Sequence, residues 1–197
     1  MKKSIQLLNI LLLFSIVAKS QITKGNWMIG GNASFSFSGS DYGTYNTRVN
    51  GISLSPNVGY FFIDKLAGGL RLGYYRNNSK FKNVPGLPSV NFNKTTVYTF
   101  GPYIRYYFLP EEKSYNILAE GSYQFGTTKT ETEVSSNPAI STNNFSIAAG
   151  PVIYFNSSVG IEFLLNYSTT NTNNSITKSY KLGIGIGLQI HLQKDKP

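Results

Sequence analysis

Residues 180–192 read "YKLGIGIGLQIHL". Tyr180, Leu182, Ile184, Ile186, Leu188, Ile190 and Leu192 hold every even position, and Lys181, Gly183, Gly185, Gly187, Gln189 and His191 hold the odd ones. A period of two is a strand signature, because successive side chains point to opposite faces. Three glycines weaken a strand, since glycine packs nothing and loses the most entropy on folding. Such a strand needs compensation from its neighbours.

The same alternation recurs in seven earlier stretches, beginning at Asn26, Gly51, Lys65, Thr96, Tyr115, Asn144 and Val159. In "GISLSPNVGYFFI" Ile52, Leu54, Val58, Tyr60 and Phe62 stand against Ser53, Ser55, Asn57 and Gly59. In "TVYTFGPYIRYYF" Tyr98, Phe100, Ile104, Tyr106 and Phe108 stand against Thr99, Gly101, Tyr103 and Arg105. No stretch carries helical periodicity of any length. The connections alternate as well. Short ones fall at Asp64–Lys65, at 110–114 and at 156–158, and long polar ones at 39–50, 77–93, 126–142 and 169–175. Eight strands with long loops at one end and short turns at the other make the up-and-down meander of an outer-membrane barrel. Pro56, Pro102 and Pro151 recur in register on the second, fourth and sixth strands. Each removes a ladder hydrogen bond, so each calls for a bulge or a gap in pairing.

A soluble barrel of the lipocalin kind alternates equally well, with its apolar face inward. The charges separate the two cases. Arg71, Arg105, Glu120, Glu162 and Lys181, the charges of the strand cores, all fall on the face of small residues, and the bulky face carries none. An outer wall without charge would aggregate in water, whereas a lipid-facing wall requires that absence of charge. Trp27, Tyr60, Phe62, Tyr106, Phe108, Tyr115 and Phe155 gather near the short turns, where an interfacial aromatic girdle belongs. Composition agrees. Charged residues are 14% of the chain, against about a quarter in soluble domains, and aromatics reach 14%.

Residues 1–20, "MKKSIQLLNILLLFSIVAKS", combine a basic start, an apolar stretch and small residues before a cut, which is the pattern of a cleaved secretory signal. The barrel domain is then 21–197. Removing Lys2, Lys3 and Lys19 leaves 15 basic against 9 acidic residues, a balance of +6. These are scattered without a basic stripe, so nucleic acid is not an expected partner. There is no cysteine, which excludes disulfides, thiol catalysis and zinc-thiolate sites.

The stretches "SLSPNVGYFFIDKLAGGLRLGY" and "TFGPYIRYYFLPEEKSYNILAEGSYQFG" resemble the small eight-stranded outer-membrane β-barrel domain proteins of Gram-negative bacteria, of the OmpX and OmpA-membrane-domain type, and the resemblance spans the whole mature chain. It implies a barrel in the outer membrane with both termini in the periplasm. Barrels of that family usually finish on an aromatic residue, whereas here Leu192 is followed by "QKDKP".

An eight-stranded barrel has a bore just wide enough for side chains to fill. Counted from the short turns, Arg71, Arg105, Glu120 and Glu162 lie at similar depth, and an Arg–Glu layer across the lumen is expected, with Lys181 also inward and Tyr103, Tyr107 and Tyr154 packed around it. Buried charges must be paired, so the layer reads first as a plug. The rival reading is a gated proton or ion path. His191 is the only histidine and has no acid beside it, so no metal site, cofactor or catalytic relay is expected and the chain reads as a non-enzyme. The polar loops carry the Asn, Ser, Thr, Tyr and Gly mixture of binding loops. They leave two roles open, a structural one in the envelope and contact with an extracellular ligand or surface partner. Outer-membrane lipid is the expected surrounding, and a monomer the expected state.

Overall fold

A computed structural model describes residues 22–41, 46–82, 92–132, 135–172 and 178–192. The signal segment expected at 1–20 lies outside the described residues. Eight strands follow one another: β1 (Trp27–Asp41), β2 (Asn46–Ile63), β3 (Leu66–Lys82), β4 (Phe92–Tyr107), β5 (Tyr115–Thr132), β6 (Ile140–Tyr154), β7 (Val159–Thr172) and β8 (Lys178–Leu192). Each pairs antiparallel with the next, and β8 returns to β1, closing the barrel. The all-β, eight-stranded expectation is met. The alternation resolves as read. Ile184 is 76% exposed on the outer wall, while Gln189 and His191 on the same strand are buried within.

The strands outrun the apolar pattern. Most of the residues expected as long polar loops are ladder: Ser38 pairs with Val49, Asn78 with Lys94, Thr128 with Ile140 and Thr170 with Ser179. Only 42–45, 83–91, 133–139 and 173–177 lie between strands at that end. Polarity marks where an apolar wall stops, whereas backbone pairing continues as long as a neighbouring strand is there to accept it.

Pro56, Pro102 and Pro151 all point outward. Each keeps its rung with the preceding strand, to Gly31, Leu70 and Ile117 respectively. On the other edge the ladder skips two rungs and resumes in unchanged register, between Leu54↔Tyr74 and Asn57↔Arg71, between Phe100↔Phe125 and Tyr103↔Ser122, and between Ala149↔Leu165 and Val152↔Glu162. The choice between bulge and gap is therefore settled as a gap at all three sites. Among the described residues, the one irregular register lies elsewhere in β2, at Phe61/Ile63.

The closing seam is short. β1 and β8 pair from Trp27↔Leu192 to Ala33↔Ile186. Above that rung, 34–41 and 178–185 keep their other partners, β2 and β7, but have no rung with each other. At the opposite end the base is closed by the segment before β1. The buried Ile22 accepts from Lys65 N at 2.7 Å, Phe61 O accepts from Gly25 N at 2.9 Å, and Asn26 O accepts from Phe61 N at 3.0 Å. The tight turn after β2 places Lys65 at φ 67°, the left-handed region. Asn116 clamps the next turn by accepting from Leu109 N at 2.9 Å and donating to Leu109 O at 3.0 Å.

The glycines of β8 divide in function. A Cβ on Gly187 would overlap Asn32 Oδ1 and stand 3.1 Å from Glu162 Oε2, while one on Gly185 would meet nothing within 4 Å. Only Gly187 is required by packing. Gly187→Val is expected to cost about 1–3 kcal/mol by overpacking, and Gly185→Val to leave stability unchanged or raise it. The urea midpoint of the heat-modifiable gel shift, measured for both variants, checks the pair.

Candidate functional site

Four of the five charges expected inside the barrel meet in a single layer. Arg71 comes from β3, Arg105 from β4, Glu120 from β5 and Glu162 from β7. Arg105↔Glu120 is a direct cross-strand pair, so the two side chains enter the bore side by side. Arg71 grips Glu120 with both terminal nitrogens, Nη1 to Oε1 and Nη2 to Oε2 at 2.7 Å. Arg105 donates Nε and Nη2 to Glu120 Oε2 at 3.0 and 2.8 Å. Its Nη1 reaches Glu162 Oε1 at 2.5 Å and its Nη2 reaches Glu162 Oε2 at 3.2 Å. Two guanidinium forks thus hold two carboxylates in a neutral chain, the geometry in which arginine binds carboxylate most strongly. Arg105 and Glu162 are fully buried, and Arg71 and Glu120 nearly so.

Tyrosines complete the layer. The Arg71 guanidinium carbon stands 5.0 Å from the centre of the Tyr103 ring, a cation–π contact, and the Tyr103 hydroxyl points to Asn57 Oδ1 at 3.4 Å. Arg105 Nη1 donates to the Tyr107 hydroxyl at 3.2 Å, which in turn faces Met28 Sδ at 3.4 Å. Below, toward the short turns, the bore is mainly apolar, with the amide of Gln189 buried just under the charged layer. Met28, Phe61, Tyr107, Leu118, Val152 and Ile22 are buried there. His191 belongs to this lower layer, packed edge-on against Phe61, Tyr107 and Tyr154 at 5.6–6.0 Å between ring centres. It is 1% exposed, so it is a core side chain walled off from water.

Lys181 stands apart from the quartet. It lies in the upper half of β8, is exposed, and places its ammonium 5.3 Å from the centre of the Tyr75 ring. It makes no ion pair among the described residues. Around it, above the charged layer, the bore opens into a cavity of about 500 Å³ lined by hydroxyls and amides, among them Ser34, Ser55, Thr99, Gln124, Asn144, Asn166 and Ser179. Arg71 lines this cavity too, and its Nε has no hydrogen-bond partner. Among the described residues, no group of three His, Cys, Asp or Glu side chains gathers as metal ligands.

The aromatic side chains named for the girdle ring the short-turn end. Trp27, Phe62, Tyr106, Phe108, Tyr115 and Phe155 are exposed on the outer wall, and Tyr60 is half-buried between Trp27 at 5.2 Å and Phe62 at 5.6 Å. Tyr106 and Phe108 meet edge to face at 5.1 Å. Sequence reasoning missed the apolar members of the interior. Phe61, Leu118, Val152 and Leu164 occupy inward positions by parity, but apolar side chains carry no polarity signal that marks them as inward. Strand parity alone was the available clue.

Removing one partner of a buried ion pair leaves an uncompensated charge, which costs about 3–5 kcal/mol. Arg105→Ala would strand Glu162, which has no other arginine on it, and Glu120→Gln would leave Arg71 and Arg105 underpaired. Both variants are expected to lower the urea midpoint of the folded barrel, Arg105→Ala by the larger amount. Lys181→Ala, outside the layer, is expected to leave it unchanged.

The sequence profile of the family described as "Outer membrane protein beta-barrel domain" matches residues 7–189. No curated protein sequence matches the chain. Among solved structures, the barrel is similar to Neisserial surface protein A, with a TM-score of 0.52 and 14% identity over 83% of this chain and 96% of that one. It is also similar to the N-terminal β-barrel domain of Pseudomonas aeruginosa OprF, with a TM-score of 0.51 and 14% identity over 86% of this chain and 98% of that one. At such identity the likeness is one of fold.

Proposed function

Since this chain belongs to the outer membrane protein β-barrel domain family of Gram-negative bacteria, we propose that it is a non-conducting, non-enzymatic barrel that serves the envelope as a structural element and meets partners through its extracellular end. Its surroundings are outer-membrane lipid. The observation that carries the non-conducting reading is the filled lower bore. Arg105, Glu162, Met28, Phe61, Tyr107, Leu118 and His191 are all buried between the upper cavity and the base. An ion entering from outside would have to break a pair of bidentate arginine–carboxylate contacts and then cross an apolar layer. Desolvation opposes each step.

The surface role is supported by a different region of the molecule. The strands rise well beyond the apolar wall and carry Asn, Ser and Thr on both faces, so the scaffold presents a polar rim on a rigid ladder. The name of one structural neighbour, Neisserial surface protein A, describes that protein as surface-located, which is the exposure such a rim would have here. The non-enzymatic reading is supported by the single histidine, whose ring is enclosed by Phe61, Tyr107 and Tyr154 and so is poorly placed to serve as a base.

Planar-bilayer recording on the refolded full chain tests the plug. The wild type is expected to give no stable ohmic steps, and Glu120→Gln is expected to introduce leak or noise by loosening the layer. Ohmic current through the wild type that Glu120→Gln alters would replace the plug with an ion path. Binding of cells or matrix to the intact barrel, compared with a barrel shortened at 83–91 and 133–139, tests the surface role. Equal binding would remove it.

A further inference from the structure

The early end of the β1–β8 ladder lies at the wrong height for a sealed barrel. Ala33 is six residues above Trp27, which at about 3.3 Å per residue and a tilt of 35–45° is about 15 Å up the wall. The apolar band of such barrels is about 25 Å tall. The split therefore starts inside the hydrocarbon, where an unpaired strand edge costs several kcal/mol per group unless a hydrogen-bonding partner reaches it. The lining of the upper cavity reaches the split, where it includes Ala33 and Ile184. Phe35, Phe37, Leu182 and Ile184 border the split and are 68–78% exposed. Behind it stand Lys181 and, deeper, Arg71 with its free Nε. The path runs from an apolar mouth to a polar cavity that holds one cation without an acid partner.

We propose that the split between β1 and β8 is a lateral portal for a single-chain amphiphile with an anionic head. Its head seats in the upper cavity against Lys181, and its chain lies along Phe35, Phe37 and Ile184 in the bilayer. A carboxylate or phosphate there would gain a charge-assisted contact that Lys181 lacks within the chain, and its oxygens could accept from backbone N–H groups of the open edges, while the hydrocarbon tail stays among the apolar side chains of the mouth. The cavity is of ligand size, and Gly183 and Gly185 leave it open on the β8 side. This use of the barrel rests on its placement in the outer membrane. It is independent of the plug, whose failure would show as current and leave binding untouched.

The test uses the full chain refolded in nanodiscs of neutral lipid, with a fluorescent long-chain fatty acid as the probe and the alcohol of the same chain as its uncharged counterpart. Saturable binding at one site per barrel is expected. Lys181→Met should weaken the acid roughly tenfold and leave the alcohol unchanged. Gly185→Phe, which fills the mouth where an added side chain meets no atom, should abolish binding of both, with folding checked by heat-modifiable mobility. Ala149→Phe fills a second, apolar groove of about 570 Å³ on the outer wall, which meets the border of the split only at Leu182, and should change nothing. Equal affinity in wild type and Lys181→Met, or loss of binding in Ala149→Phe alone, would overturn the proposal. So would displacement of the probe by acetate, which marks a site for free anions, or a dimer cross-linked through Phe37→Cys, which gives the split to a second copy of the chain.

Discussion

A peptide N–H or C=O in hydrocarbon has no water to turn to, and the structure follows from that shortage of partners. Each strand must spend both edges on neighbours, so the sheet must close. Closure fixes the sorting of side chains. One face of every strand meets lipid and can hold no charge, and the other meets a bore a few side chains wide. The five charges of the strand cores therefore have only the interior to occupy. Once there, four of them must find each other, because a lone charge in so small a space would be too costly to hold. The Arg–Glu layer is thus a product of closure as much as of the arginines and glutamates themselves.

Arg105 is the centre of that layer. It alone touches both carboxylates, and through them it ties β4 to β5 and to β7, while Arg71 brings in β3. A slip of one residue in any of these strands would turn its charge toward lipid. Buried pairing of this kind is better suited to fixing register than to adding stability. An apolar filling of the same volume could be as stable and would tolerate the slip.

Much of this was legible in the sequence. Parity placed Arg71, Arg105, Glu120 and Glu162 on one face, and their count from the short turns placed them at one depth. Parity also put Lys181 inside, and its place at the far end of its stretch set it nearer to water than the other four, but whether it would still reach the network depends on the stagger at closure, which no local pattern records. The strand ends at the polar side were hidden for a related reason. Where both faces meet water the alternation fades, although the ladder from Asn77 to Lys82 or from Gly126 to Thr132 runs on. The apolar lower bore was hidden by chemistry, since Phe61 and Leu118 look like wall residues. The split seam was beyond reach, as it is a relation between the first strand and the last.

The gaps beside the three prolines have a consequence for how the barrel is divided. β1 with β2, β3 with β4, β5 with β6 and β7 with β8 each pair without interruption, whereas β2/β3, β4/β5 and β6/β7 each lack two rungs and β8/β1 is zipped only through its lower half. Four intact hairpins are joined by four weakened joints. The hairpin, joined at the end opposite the short turns, is therefore the natural cassette of this molecule. It is the piece that would form first, exchange its amide hydrogens last, and be gained or lost whole if the barrel were to change its number of strands.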